Sequence, residues 1–195
     1  MKNVKQQSFH RFTLLPLYFF TFLLFHLFTS CTADPSIDRS NVCRFTFTYQ
    51  DHPTSKIFVA AKSAGYYVFV TTRGDGKKSL RHVYVQSNDG STDIEDNIIR
   101  TDIENSLNYV LGASNDIGLI IGTTNFSGLQ AYDRTCPNCD VLRALQWTGD
   151  RQHVKCNTCQ RVYALETGVV DSGDQGAPLR RYMCVFNGVA LNAYN

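Results

Sequence analysis

Cys136-Pro-Asn-Cys139 and Cys156-Asn-Thr-Cys159 are two C-x-x-C pairs with sixteen residues between them. Each short pair can bend into a knuckle that turns two thiolates toward one point, and this spacing suits a four-cysteine metal site. Converging thiolates repel one another unless a cation neutralises them or they pair as disulfides. A metal ion is the favoured reading of Cys136, Cys139, Cys156 and Cys159, with disulfides and free thiols as the alternatives. Four protein ligands leave no open coordination position, which argues against metal-centred hydrolysis.

Such a site needs a rigid support. The intervening residues 140–155 suffice for a hairpin, with strands at 145–148 and 153–155 and Gly149-Asp150 at the turn. The rest of the chain also reads as β. Cys43, Phe45, Phe47 and Tyr49 alternate with Arg44, Thr46 and Thr48, the period of a half-buried strand. Apolar or β-branched runs at 66–72 and 80–85 end in Gly74-Asp-Gly76 and Asn88-Asp-Gly90. Further strands are expected at 118–124 and 129–133, which deliver the chain into the first knuckle. Others follow at 161–165 and 169–170, with an irregular stretch over 171–178. A last hairpin spans 179–186 and 189–192 about Asn187-Gly188. Residues 91–100 read as loop. Thr101-Asp-Ile-Glu104 reads as a capping box opening the one expected helix, which runs to Gly112. Many short strands with regular turns predict an all-β antiparallel sandwich or barrel.

The N-terminus is organised differently. Lys2, Lys5 and Arg11 precede a nearly continuous apolar run over 12–28 that ends at Thr29-Ser-Cys31. That layout predicts a secretory signal over residues 1–30, with an uncleaved membrane anchor as the alternative. Thr29-Ser30-Cys31 resembles the lipobox of bacterial lipoproteins, although Phe28 stands where leucine is usual. The resemblance implies lipidation of Cys31, a polar tether over 31–41 and one domain over 42–195. It places the protein on a bacterial envelope membrane. Without residues 1–30, 16 of the 19 basic side chains face all 17 acidic ones, a net charge of −1. No basic surface is left to argue for nucleic acid.

Residues 116–192 resemble a Rieske iron–sulfur domain. Cys156-x-x-Cys159-x-x-x-Tyr163-x-Leu165-x-Thr167-Gly168 is similar to that family's second cluster loop and the strand leaving it. Gly176-Ala-Pro-Leu179-Arg-Arg-Tyr182 is similar to its Gly/Pro-rich loop and closing strand, and Tyr132-Asp-Arg-Thr-Cys136-Pro137 to the approach to its first loop. The departures fall on the ligands. Rieske domains use C-x-H and C-x-x-H, with two cysteines on one iron and two histidines on the other. Here Asn138 stands at the first histidine position and Cys139 follows it, while Cys159 stands at the second. The pair of knuckles, over about 134–167, is closer to a zinc ribbon or rubredoxin set on a Rieske-like scaffold. The family implies electron transfer through [2Fe–2S] or mononuclear iron. Ligand geometry favours a single zinc ion, since a C-x-x-C knuckle turns both sulfurs to one metal. The export route agrees, because exported Rieske proteins usually carry a twin-arginine signal and this chain has only His10-Arg11.

The remaining residues carry less. Cys-Pro-Asn-Cys is similar to a thioredoxin-type motif but lacks the helix and βαβ context that lower the first thiol's pKa. His52, His82 and His153 read as solvent-facing, His153 with a spare-ligand alternative, and Trp147 reads as core. The charged stretch from Asp93 to Glu104 reads as a solvated loop and helix start. Cys43 and Cys184 are expected to lie close enough for a disulfide, or else to act as small buried apolar residues. No catalytic constellation and no small-molecule substrate is legible. The expected partners are a membrane, through the lipid, and a redox or assembly protein.

Overall fold

The computed structural model describes residues 36–74, 81–93, 97–99, 104 and 109–195. The expected signal segment, Cys31 and the start of the tether lie outside them. The described chain is almost wholly antiparallel β. Its strands are β1 (Cys43–Thr48), β2 (Tyr67–Gly74), β3 (Arg81–Ser87), β4 (Asn97–Ile98), β5 (Val110–Leu111), β6 (Leu119–Thr123) and β7 (Leu129–Asp133). They continue with β8 (Gln146–Trp147), β9 (His153–Lys155), β10 (Val162–Ala164), β11 (Val170–Ser172), β12 (Arg181–Phe186) and β13 (Ala190–Tyr194). Nine of them form one curled sheet, a half-barrel in the order β4-β3-β2-β6-β7-β12-β13-β1-β5. The other four form a small sheet in the order β11-β10-β9-β8.

Two cores lie on opposite faces of the large sheet. The first gathers Cys43, Phe45 and Phe47 of β1 with Val68, Val70, Leu119, Ile121 and Leu191. The second, under the small sheet, gathers Tyr67, Phe69, Ile120 and Tyr132 with Leu145, Val154, Tyr163, Leu165 and two of the motif cysteines. Strand β2 feeds both cores, odd residues to one and even residues to the other. This explains its unbroken apolar run: a strand covered on both faces has no polar side to alternate with.

Several expectations need correction. The structure has a helix, α1 (Lys56–Ala60), where none was expected. It covers the first core with Ile57, Phe58 and Ala60, and Asp93 fixes its start by accepting from the Lys56 N–H and the Ser55 hydroxyl, both at 2.9 Å. A five-residue helix is too short to show a period. The helix expected from Thr101 falls mostly outside the described residues. Glu104 is helical, but Val110 and Leu111 belong to β5 and pair with Arg44 and Cys43. The loop expected over 91–100 contains β4, and the irregular stretch over 171–178 begins inside β11. Glu104 is buried and not solvated. So is His52, which stacks on Phe47 and sits 3.2 Å from the Glu104 carboxylate.

Cys43 and Cys184 face the same core but are free thiols, with β13 between their strands. Two strand spacings are roughly 9–10 Å, well past the 7 Å that a disulfide tolerates between Cα atoms. Burial, then the negative charge of Asp133, pushes the Cys43 thiol up to about 12, and burial raises Cys184 as well. Both behave as small apolar residues.

Candidate metal centre

The approach to the first knuckle is anchored by one buried carboxylate. At the end of β7, Asp133 Oδ1 accepts from the N–H and hydroxyl of Thr135, at 2.8 and 2.5 Å. Its Oδ2 accepts from the Ala113 N–H and the Tyr182 hydroxyl, both at 2.8 Å. The chain then runs alongside 143–145: Leu145 N donates to Arg134 O at 2.9 Å and Cys136 N to Arg143 O at 2.8 Å. These bonds close the first knuckle. The second closes when Cys156 N donates to Arg161 O at 3.0 Å and Gln160 N to Cys156 O at 2.9 Å. That tight turn places Gln160 at φ +60°, a left-handed conformation usually left to glycine.

The two knuckles bring all four sulfurs within 4.8 Å of one another. Two separations cross between knuckles, Cys136 to Cys159 at 3.6 Å and Cys139 to Cys156 at 3.7 Å. Four thiolates about 2.3 Å from one tetrahedral ion stand about 3.8 Å apart. The observed separations match that edge and are far longer than an S–S bond of about 2.05 Å. Cys136 and Cys156 are buried in the second core, while Cys139 and Cys159 are half-buried.

The surrounding groups favour thiolate at this point. Asn138 Nδ2 donates to the Tyr163 hydroxyl at 2.9 Å, leaving that O–H to point at Cys136 Sγ, 3.3 Å away. Without a cation the four thiols cannot ionise together. Burial and the neighbouring sulfurs raise Cys136 and Cys139, the latter to about 12. At Cys159 burial also raises the pKa, but the Arg161 N–H and guanidinium and the neighbouring sulfurs outweigh it and bring the thiol down to about 6. A dication reverses this balance for the whole set.

A third loop closes over the first knuckle. Asn138 Oδ1 accepts from Ala177 N at 2.8 Å, and its Nδ2 donates to Ala177 O at 2.8 Å. Arg161 holds the same loop through the carbonyls of Asp174 and Gln175, at 2.9 and 3.2 Å. Gly176 is required there, since a Cβ would sit 2.5 Å from Asn138 Oδ1. Asn138→Ala removes all three bonds and should cost about 1–3 kcal/mol. It should weaken metal binding by about 10- to 100-fold without abolishing it. Chelator competition and thermal melting check both.

His153 is no spare ligand. Its Nδ1 lies 2.6 Å from Asp150 at the hairpin turn, and its Nε2 lies 3.6 Å from Asp171. Trp147 packs as expected, stacked on Phe69 with ring centroids 3.6 Å apart. Sequence reasoning assigned no role to Asn138, Tyr163, Arg161 or Asp133 in supporting the site. Only Asn138, standing between two ligands, carried a local signal.

Fold and site together define an all-β protein with a tetracysteine cluster able to hold a metal ion. Comparison of the chain with protein-family models, curated proteins and solved structures gives no match.

Proposed function

We propose that the protein is a lipid-anchored component of a bacterial envelope whose four cysteines hold one structural zinc ion within a Rieske-like domain. The observation that carries the metal assignment is the gathering of all four sulfurs around one point. Contacts of 3.6 and 3.7 Å join opposite knuckles, and no pair exceeds 4.8 Å. A binuclear cluster divides its ligands between two irons with sulfides between them. That arrangement draws two pairs of sulfurs apart instead of gathering four around one point. Zinc also suits the thiolate set and needs no dedicated assembly step after export.

The zinc ties the two knuckles together. Cobalt substitution tests this. Metal-free protein should take up one cobalt per chain and develop the intense sulfur-to-metal bands of a tetrahedral thiolate site. Uptake without those bands would contradict the four-cysteine assignment. A second reading, an iron centre in electron transfer, is favoured by the way the Gly176 loop closes on the first knuckle. The Rieske resemblance likens that segment to the family's Gly/Pro-rich loop.

The envelope assignment rests on Cys31 following the apolar run and preceding a polar segment. Acylation by several chains gives stable membrane attachment, where one chain is marginal. Cys31→Ala should therefore move the protein from the membrane to the soluble fraction and remove the lipid mass. An unchanged membrane-bound, mass-shifted product would sink the assignment.

A further inference from the structure

A second site lies on the other side of Phe69. Strands β2 and β3 pair Phe69 with Gln86 and Thr71 with Tyr84, so these four residues share the face that continues from the second core. Beyond the small sheet this face opens into a groove of about 380 Å³, lined by Phe69, Thr71, Tyr84, Gln86, Asp93 and Arg134 among others. Arg134 lies with its guanidinium 3.8 Å over the Phe69 ring centroid. Its Nε donates to Leu145 O at 3.1 Å and its Nη1 to Ile117 O at 3.5 Å. Arg73, two residues beyond Thr71 on β2, is exposed, with its guanidinium 5.9 Å from the centroid of the Tyr84 ring.

Among the described residues neither arginine has a carboxylate partner. The acid on the lining, Asp93, is committed elsewhere, to Ser55 and to the Lys56 backbone. A half-buried guanidinium normally has its desolvation offset by an anion. Among the described residues Arg134 has only two carbonyls and an aromatic face, and its Nη2 amine makes no hydrogen bond there. The planar fork fits a carboxylate or a phosphate. Two features select the carboxylate. Asp93 on the same lining disfavours a dianion, and the exposed Tyr84 ring offers a surface for an apolar body rather than for water.

We propose that this groove binds a small organic carboxylate, with its anionic end on Arg134, Arg73 close by and its apolar body against Tyr84. Thr71 and Gln86 supply the polar contacts that orient it. The residues come from β2, β3 and the segment after β7, so no local sequence pattern announces them.

The protein carries its own reporter. Trp147, the single tryptophan of the chain, stacks on Phe69 with an interplanar angle of 5°. Two groups this close to one ring centroid occupy its opposite faces, so Trp147 and Arg134 sandwich Phe69. Metal-loaded protein is titrated at constant ionic strength with sodium benzoate, sodium hexanoate and sodium phosphate, following Trp147 fluorescence and the amide resonances of Thr71, Tyr84 and Gln86. Benzoate or hexanoate should give saturable changes at these residues, with phosphate at least about tenfold weaker. Arg134→Lys keeps the charge and loses the fork, and should weaken binding about tenfold or more. Arg73→Gln changes an exposed side chain, should fold normally, and carries the test should Arg134→Lys fail to fold; it should weaken binding several-fold by removing a charge near Tyr84. Three results overturn the proposal: no saturable change with either carboxylate, phosphate binding as tightly as both, or affinity unaltered by the substitutions that fold.

Discussion

Cys156→Ser should abolish stable metal binding and release the small sheet from the large one, the largest effect expected of any single substitution here. Cys156 is fully buried beside Val154, Tyr163 and Leu165, so its sulfur is both ligand and core atom. Structural zinc in small domains contributes on the order of 10 kcal/mol of apparent binding free energy at neutral pH. Strands β8 to β11 have only two or three residues each and cannot replace that from packing alone. The first core holds none of the four ligands, so the half-barrel should survive. Hydrogen exchange should therefore show lost protection over about residues 134–172, with β1, β2 and β13 still protected. Trp147 emission should shift red as the stack on Phe69 opens. A chelator should reproduce both changes in the unsubstituted protein. Full protection of the small sheet in metal-free protein would show that the metal is not structural.

Asp133→Ala should be the most damaging change outside the cysteines, at about 3–5 kcal/mol. One fully buried carboxylate receives four donors that belong to three parts of the chain. Removing it leaves Tyr182 O–H, Ala113 N–H and both Thr135 donors without their acceptor, and it opens a cavity. Asn in its place keeps the shape but can accept at only one of its two positions, so Asp133→Asn should cost less than Ala and more than a surface change. Denaturant melts check the order. Because Asp133 sits at the end of β7, three residues before Cys136, metal affinity should fall along with stability. An Ala variant as stable as the unsubstituted protein would mean that the network contributes nothing net.

The strands that carry a clear period were legible. The alternation of Cys43, Phe45 and Phe47 marks β1, and its partner proved to be the last strand, β13. The cysteine spacing announced the site because a C-x-x-C knuckle is a local device: the ligands and the turn that aims them lie within a few residues. The elements that escaped are the ones fixed by distant groups. Helix α1 has five residues and a start held by Asp93, thirty-seven positions away. Strands β4 and β5 have two residues each, too few for any period, and exist only because a neighbouring strand offers its edge. His52 and Glu104 look like surface residues until each supplies the other's partner in the core. The expected Cys43–Cys184 pair failed for a topological reason, since Cys184 lies on β12 and β13 stands between that strand and β1. The clamp from Asn138 to Ala177 links loops thirty-nine residues apart, which no short motif encodes.

Metal and acid-labile sulfide analysis of protein exported by its own host tests the central claim most directly. The account predicts a colourless protein with one zinc per chain and no labile sulfide, its four motif thiols unreactive until the zinc is removed. About two irons and two labile sulfides per chain, with the visible and EPR bands of a cluster, would contradict it.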